Sequence, residues 1–335
     1  MRQRLTVLAI LGAVGGCIVV IVTGIGGGAA TSVQRSHHAA HGAAGAPRPA
    51  AFAVGLRVLR LVDRARSEQL PNGLAAPRTL VTYVRYPAIG AVGTGDRANA
   101  PAATADGPFP LVVFGHGFAV TPGLYASLLR DWARAGYVVV APVFPLANAN
   151  APGGPNESDL PNQPADMRFV ISRMLAAGVS AAGPFGGLID RRRIAVAGQS
   201  DGGDTALATA YDPRFRDVRI GAAIILSGSE IPGMGGFQIP SGGPPLLAVQ
   251  GTADTINPPE ATDAFYTSAP APKYLLELTG AGHLQPYATE QPQLSIVARV
   301  SIEFLNHYLG QQPGSLKQLV AAGRMRGVAT LDAHP

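Results

Sequence analysis

The chain has 335 residues, 47% of them hydrophobic and only 14% charged, which gives room and apolar content for one large α/β domain or two small ones and excludes a disordered or coiled-coil protein. The formal charge of +5 includes Arg2 and Arg4 at the extreme N-terminus, and Arg191-Arg192-Arg193 is the one basic cluster, so no nucleic-acid partner is expected. Cys17 is the only cysteine, which excludes an intrachain disulfide and a cysteine-based metal site.

Arg2 and Arg4 precede a charge-free run from Leu5 to Gln34 that is apolar through Val22, the layout of a signal peptide or signal anchor over residues 1–30. Three fates are open: cleavage near Gly28-Ala29-Ala30, retention as an anchor, or lipidation at Cys17 within Val14-Gly15-Gly16-Cys17. Leu5–Val22 is long enough to cross a bilayer, so membrane association through residues 5–22 is one expectation. Every one of these fates places the protein outside the cytoplasm, secreted or membrane-anchored. Residues 31–50, rich in Ala, Gly, His and Pro, read as a flexible tether, and His37, His38 and His41 as part of its composition rather than as metal ligands.

The folded domain is expected over 51–335. Val54–Val62 and Thr79–Tyr86 read as early strands around the turn signal Pro71-Asn72-Gly73, and Gly90–Gly107 as a mobile loop. Phe109–Phe114 is a short apolar run too short for a helix, of the kind found in buried parallel strands, and it ends in Gly115-His116-Gly117-Phe118. Helical spacing of Leu124, Leu128, Leu129 and Trp132 marks Pro122–Ala135, stopped by Gly136, with Trp132 assigned to the core. Tyr137–Ala141 reads as a strand, Leu146–Pro164 as a functional rim loop, and Asp166–Ala177 as a helix whose Met167 and Met174 fill core. Arg191–Arg193 reads as a solvated turn before a strand at Ile194–Ala197, and a helix continues over Thr205–Tyr211. Strands at Ile220–Leu226, Pro245–Gly251 and Lys273–Leu278 and a long amphipathic helix at Gln293–Leu309 complete the series. Strands that alternate with helices imply a mostly parallel central sheet with helices on both faces, and no segment is long enough for a large lid domain.

Within this order, Gly198-Gln199-Ser200-Asp201-Gly202 sits between a strand and a helix, the G-x-S-x-G shape of a nucleophile elbow, a pattern too short to stand alone. A serine hydroxyl needs a base, a carboxylate to orient the base, and donors for the oxyanion. Asp254 follows one strand in Gln250-Gly-Thr-Ala-Asp254, and His283 follows the next in Thr279-Gly-Ala-Gly-His283. The alternatives are weaker: Asp263 falls within the following helix, Asp201 and Asp204 are too close to Ser200 in sequence, His116 suits a structural role, and His307 suits packing.

With Ser, Asp and His in that order and an H-G turn upstream, the chain resembles the α/β-hydrolases over most of residues 51–310. The resemblance implies that Ser200 is the nucleophile, Asp254 the orienting acid and His283 the general base, with an oxyanion hole built from the backbone N–H groups of Phe118 and Asp201. Asp201 departs from the small or apolar residue common at its position, which bears on substrate preference. Within that superfamily the G-H-G-F turn, the export segment and the absence of a large lid look most like the chlorophyllase, cutinase and polyester-hydrolase relatives and the platelet-activating-factor acetylhydrolase group. The implied function is hydrolysis of carboxylic esters, of lipid, small-molecule or polyester type, through an acyl-enzyme and without metal or cofactor. An acyltransferase with the same triad and a non-catalytic surface binding protein on the same fold are the alternatives.

Overall fold

In a computed structural model of the protein, residues 51–70, 73–180 and 182–335 are described. The expected signal segment, the tether with its three histidines, Cys17 and the turn residues Pro71 and Asn72 lie outside them. A long antiparallel hairpin opens the domain, β1 (Ala53–Gln69) against β2 (Ala75–Ala88). Both strands outrun the sequence reading. Their outer halves carry little apolar surface and are held by the hydrogen-bond ladder and by ions: Arg66 pairs with Asp63 and, across to the next layer, with Asp166, each at 2.7 Å.

The remaining strands are β3 (Arg97–Ala98), β4 (Phe109–Gly115), β5 (Val138–Pro142), β6 (Ile189–Gln199), β7 (Ala222–Leu226), β8 (Leu246–Gly251), β9 (Lys273–Leu278) and β10 (Ala329–His334). They join β1 and β2 in one sheet of order β10-β9-β8-β7-β6-β4-β5-β2-β1-β3. From β5 to β9 every pairing is parallel, while β2 on β5 and β10 on β9 are antiparallel. β10 was not anticipated; it closes the β9 edge after the chain has returned through three helices. Nor is Arg191–Arg193 a turn. These residues stand in the first half of β6, largely solvated, and Arg193 is fastened to Asp190 at 2.6 Å.

Among the described residues seven α-helices cover the sheet: α1 (Ala126–Arg134), α2 (Gln163–Val179), α3 (Asp201–Tyr211), α4 (Pro259–Ser268), α5 (Gln285–Ala288), α6 (Gln293–Tyr308) and α7 (Ser315–Ala322). Successive strand residues face opposite ways, so β4 sends Leu111 and Val113 to one core and Val112 and Phe114 to the other. The first core takes Met167, Val170 and Met174 of α2, Leu207 of α3 and Phe265 of α4. The second takes Trp132 of α1, Val297 and Phe304 of α6 and Leu319 of α7. Trp132 is fully buried, and its indole N–H donates to Ser301 Oγ at 2.7 Å. A 3-10 turn at Pro122–Tyr125 leads into α1, and Gly136, at φ +101°, ends it.

The loop over residues 90–107 is tied down: Asp96 accepts from Arg85 at 3.0 Å and from Arg130 at 2.8 Å. At the carboxyl edge of the parallel strands, the connections 143–162 and 227–245 carry no α-helix, in keeping with the absence of a large lid. The first holds a 3-10 turn, Glu157–Asn162, clamped from beneath by a buried ion cluster. There the Arg78 guanidinium donates to both carboxylate oxygens of Asp159 and both of Asp166, at 2.6 to 2.9 Å.

Candidate active site

Ser200 stands between β6 and α3 with φ +55° and ψ −129°, a conformation that costs an L-residue about 1–3 kcal/mol and persists only when its surroundings impose it. They do so through contacts that admit no side chain. A Cβ on Gly198 would strike the Gly202 carbonyl, and one on Gly202 would strike that of Gly115. The strand end, the helix start and the turn after β4 are therefore packed backbone to backbone. Ser200 N–H donates to Leu226 O at 3.0 Å, and Asp204 N–H donates to Ser200 O at 2.9 Å, pinning the turn from both sides.

The loops after β8 and β9 bring the other two groups to this point. His283 Nε2 lies 2.8 Å from Ser200 Oγ, and His283 Nδ1 lies 2.8 Å from Asp254 Oδ2. Asp254 is 3% exposed, and its Oδ1 accepts the N–H groups of Ile256 at 2.9 Å and Asn257 at 3.0 Å. Burial presses the Asp254 carboxyl upward, but the hydrogen bond and charge of His283 and the Ile256 N–H outweigh it and hold the group below the usual carboxylate range. An ionised acid on Nδ1 selects the tautomer with the proton there and leaves the Nε2 lone pair for the serine. Asp263 is exposed on α4 and is not the acid that reaches His283.

The turn after β4 is held by His116, fully buried, whose Nδ1–H donates to Gly117 O at 2.8 Å and whose Nε2 accepts the Phe144 N–H at 3.0 Å. Burial pushes its imidazole down to about 4, so it is a neutral brace, in line with the structural role expected of it. Phe118, half-buried, follows on this turn, and Asp201 opens α3 directly after Ser200; these are the residues whose backbone N–H groups the resemblance assigns to an oxyanion hole.

Sequence reasoning passed over Gln199, the residue before the serine. Gly117 N–H donates to Tyr125 Oη at 3.3 Å, Tyr125 Oη–H donates to Gln199 Oε1 at 2.7 Å, and Gln199 Nε2 donates to His283 O at 2.9 Å. One amide thus links the β4 turn to the histidine loop. The bonds span 74 and 84 residues, and no local pattern encodes them.

Asp201 and Asp204 occupy the first turn of α3. Asp204 accepts from Ser229 N–H and Oγ–H, at 2.5 and 3.2 Å, and burial pushes it well above the usual range. Asp201 is 8% exposed and its Oδ2 has no hydrogen-bond partner among the described residues. Burial and the Glu157 carboxylate push it up to about 6, against the pull of His283. Among the described residues no group of three His, Cys, Asp or Glu side chains is arranged to hold a metal ion. A cavity of about 700 Å³ beside α1 and α6 is lined by Arg134, Arg299, Glu303 and Asn306 and by none of these site residues.

Sheet order, parallel core and the placement of the Ser, Asp and His residues beyond successive strand ends define the α/β-hydrolase fold. The family model described as Chlorophyllase matches residues 99–233, a stretch that takes in the β4 turn and Ser200 and stops short of Asp254 and His283. Among solved structures, a ferulic acid esterase from Streptomyces cinnamoneus is similar, with a TM-score of 0.60 and 23% identity over 82% of this chain and 94% of that one. A search of curated proteins gave no significant match. The fold is thereby established.

Proposed function

We propose that the protein is a serine hydrolase of carboxylic esters. The observation that carries this reading is the unbroken chain from Ser200 Oγ through His283 to Asp254, with both links at 2.8 Å. His283 takes the hydroxyl proton as Ser200 attacks the ester carbonyl, and returns it to the leaving alcohol. Asp254, ionised and held by two backbone N–H groups, stabilises the imidazolium. The Phe118 and Asp201 N–H groups receive the oxyanion, and water activated by His283 then releases the acid. The Chlorophyllase match and the esterase neighbour support esters over other acyl compounds. The substrate is a small or lipid-like ester, and no metal or cofactor enters any step.

Export belongs to the same proposal and rests on the charge and hydropathy layout of residues 1–30. Among the described residues no helix is long and apolar enough to cross a membrane; the anchor in this proposal is the apolar run over residues 5–22. Fractionation of cells producing the full chain tests this, and recovery in the cytoplasm overturns it. The hydrolase is tested with short-chain nitrophenyl esters. Ser200→Ala is expected to lower kcat by about 10³-fold or more, and unchanged turnover removes Ser200 from the mechanism.

A further inference from the structure

The space beside Ser200 holds more negative charge than acyl transfer asks for. Asp201 begins α3, is more than nine-tenths buried, and leaves Oδ2 without a hydrogen-bond partner among the described residues. The groups whose charge it meets come from four elements: Glu157 on the rim, Asp204 one turn along α3, the Tyr125 phenol, and the His283 imidazole. Glu157 is exposed, Asp204 is committed to Ser229, and neither Arg nor Lys is among them. The Asp201 carboxyl also lies against its own backbone N–H, the donor assigned above to the oxyanion. An ionised carboxylate there opposes the negative charge that develops on the attacked carbonyl.

An acid in the first turn of a helix gains from the helix dipole, but that gain does not require burial, and an exposed Asp would have it at lower cost. Two events relieve the charge: uptake of a proton, or arrival of a cation with the substrate. The rim carboxylate of Glu157 favours the second, because it adds attraction for a cation on the way to Asp201 and serves no hydrolytic step. We propose, resting on the ester-hydrolase reading, that Asp201 and Glu157 form a cation-recognition subsite and that the preferred ester carries an ammonium- or guanidinium-type group close to its scissile carbonyl.

The subsite has its own pH signature. Asp201, pushed up to about 6, is ionised at neutral and alkaline pH and attracts the cation there; below that point it is protonated and the preference fades. The triad acts equally on two esters of the same shape. The ratio of their kcat/KM values therefore isolates the carboxylates.

The experiment compares two matched pairs on the full chain. Butyrylcholine against neohexyl butyrate places the cation on the alcohol side, and ethyl ε-aminocaproate against ethyl heptanoate places it on the acyl side. At mildly alkaline pH at least one pair is expected to favour its cationic member by about tenfold or more, with the ratio shrinking towards unity on acidification. Asp201→Asn is expected to bring the ratio within about twofold and to raise kcat/KM for the neutral member. Glu157→Gln, on the exposed rim and harmless to α3, is expected to reduce the ratio part-way. A wild-type ratio near or below one in both pairs overturns the subsite, as does a ratio that neither variant changes, while the esterase reading survives. Absence of hydrolysis of all four esters sinks that reading and the subsite with it.

Discussion

Asp254 and Asp201 stand within reach of the same imidazole, 3% and 8% exposed, and their surroundings treat their charge in opposite ways. Asp254 receives one side-chain N–H from His283 and two from the backbone, so ionisation is favoured although water is excluded. Asp201 has a bare Oδ2 and a second carboxylate facing it, so the same burial drives it towards the neutral form. Burial alone therefore says nothing about the state of an acid; the donors around it decide. One aspartate is built to stay charged through a reaction cycle, and the other to carry a charge that is poorly supported until something else arrives.

The contrast can be broken most severely at Asp254. Asp254→Asn is expected to lower kcat by about 10⁴-fold, because an amide no longer enforces the tautomer with the proton on Nδ1; initial rates on a nitrophenyl ester measure it, and a loss below tenfold removes Asp254 from the role. The next largest effect tests a third buried aspartate, Asp159, which like Asp254 is fully partnered. Asp159→Ala leaves Arg78 buried with a single carboxylate and is expected to cost about 3–5 kcal/mol in urea unfolding. A cost under 1 kcal/mol would mean that the rim clamp carries little of the stability.

Asp201 should behave in the opposite sense. Its folded pKa lies above its unfolded one, so the wild-type acid is fully accommodated below about pH 4 and loses stability as pH rises through about 6. Asp201→Asn is therefore expected to stabilise the fold at neutral pH by about 3 kcal/mol, and to match wild type below about pH 4. Denaturation midpoints at the two pH values measure it, and destabilisation at neutral pH would show that the ionised carboxylate has support. The smallest effect concerns the support of the base itself: Gln199→Leu removes the donor to His283 O and strands the Tyr125 hydroxyl, for an expected tenfold fall in kcat/KM, about 1.4 kcal/mol.

Much of the site was legible because α/β sheets concentrate chemistry at one edge. Ser200, Asp254 and His283 each follow an apolar run too short for a helix, and three such runs in order place three side chains at the same end of a parallel sheet. The elements that escaped notice are held by other forces. The outer halves of β1 and β2 and the arginine-rich start of β6 are strands by virtue of pairing and ions, with little of the apolar signal by which strands are read. β10 is half exposed and short, and only its register against β9 makes it a strand. The Arg78 clamp joins residues 81 and 88 positions apart, beyond any window of periodicity. Asp201 was legible as an oddity and nothing more, because its meaning depends on which donors are missing.

The Tyr125-Gln199-His283 relay bears on how such a site can change over generations. The loop that carries His283 and the turn that carries Gly117 meet at a single amide, which gives with one end and accepts with the other. A one-letter replacement at position 199 alters both halves of the chemistry together. Few single steps improve one without harming the other, so adaptation to new esters has freer passage through the neighbouring position 201, where Oδ2 of the side chain has no hydrogen-bond partner among the described residues.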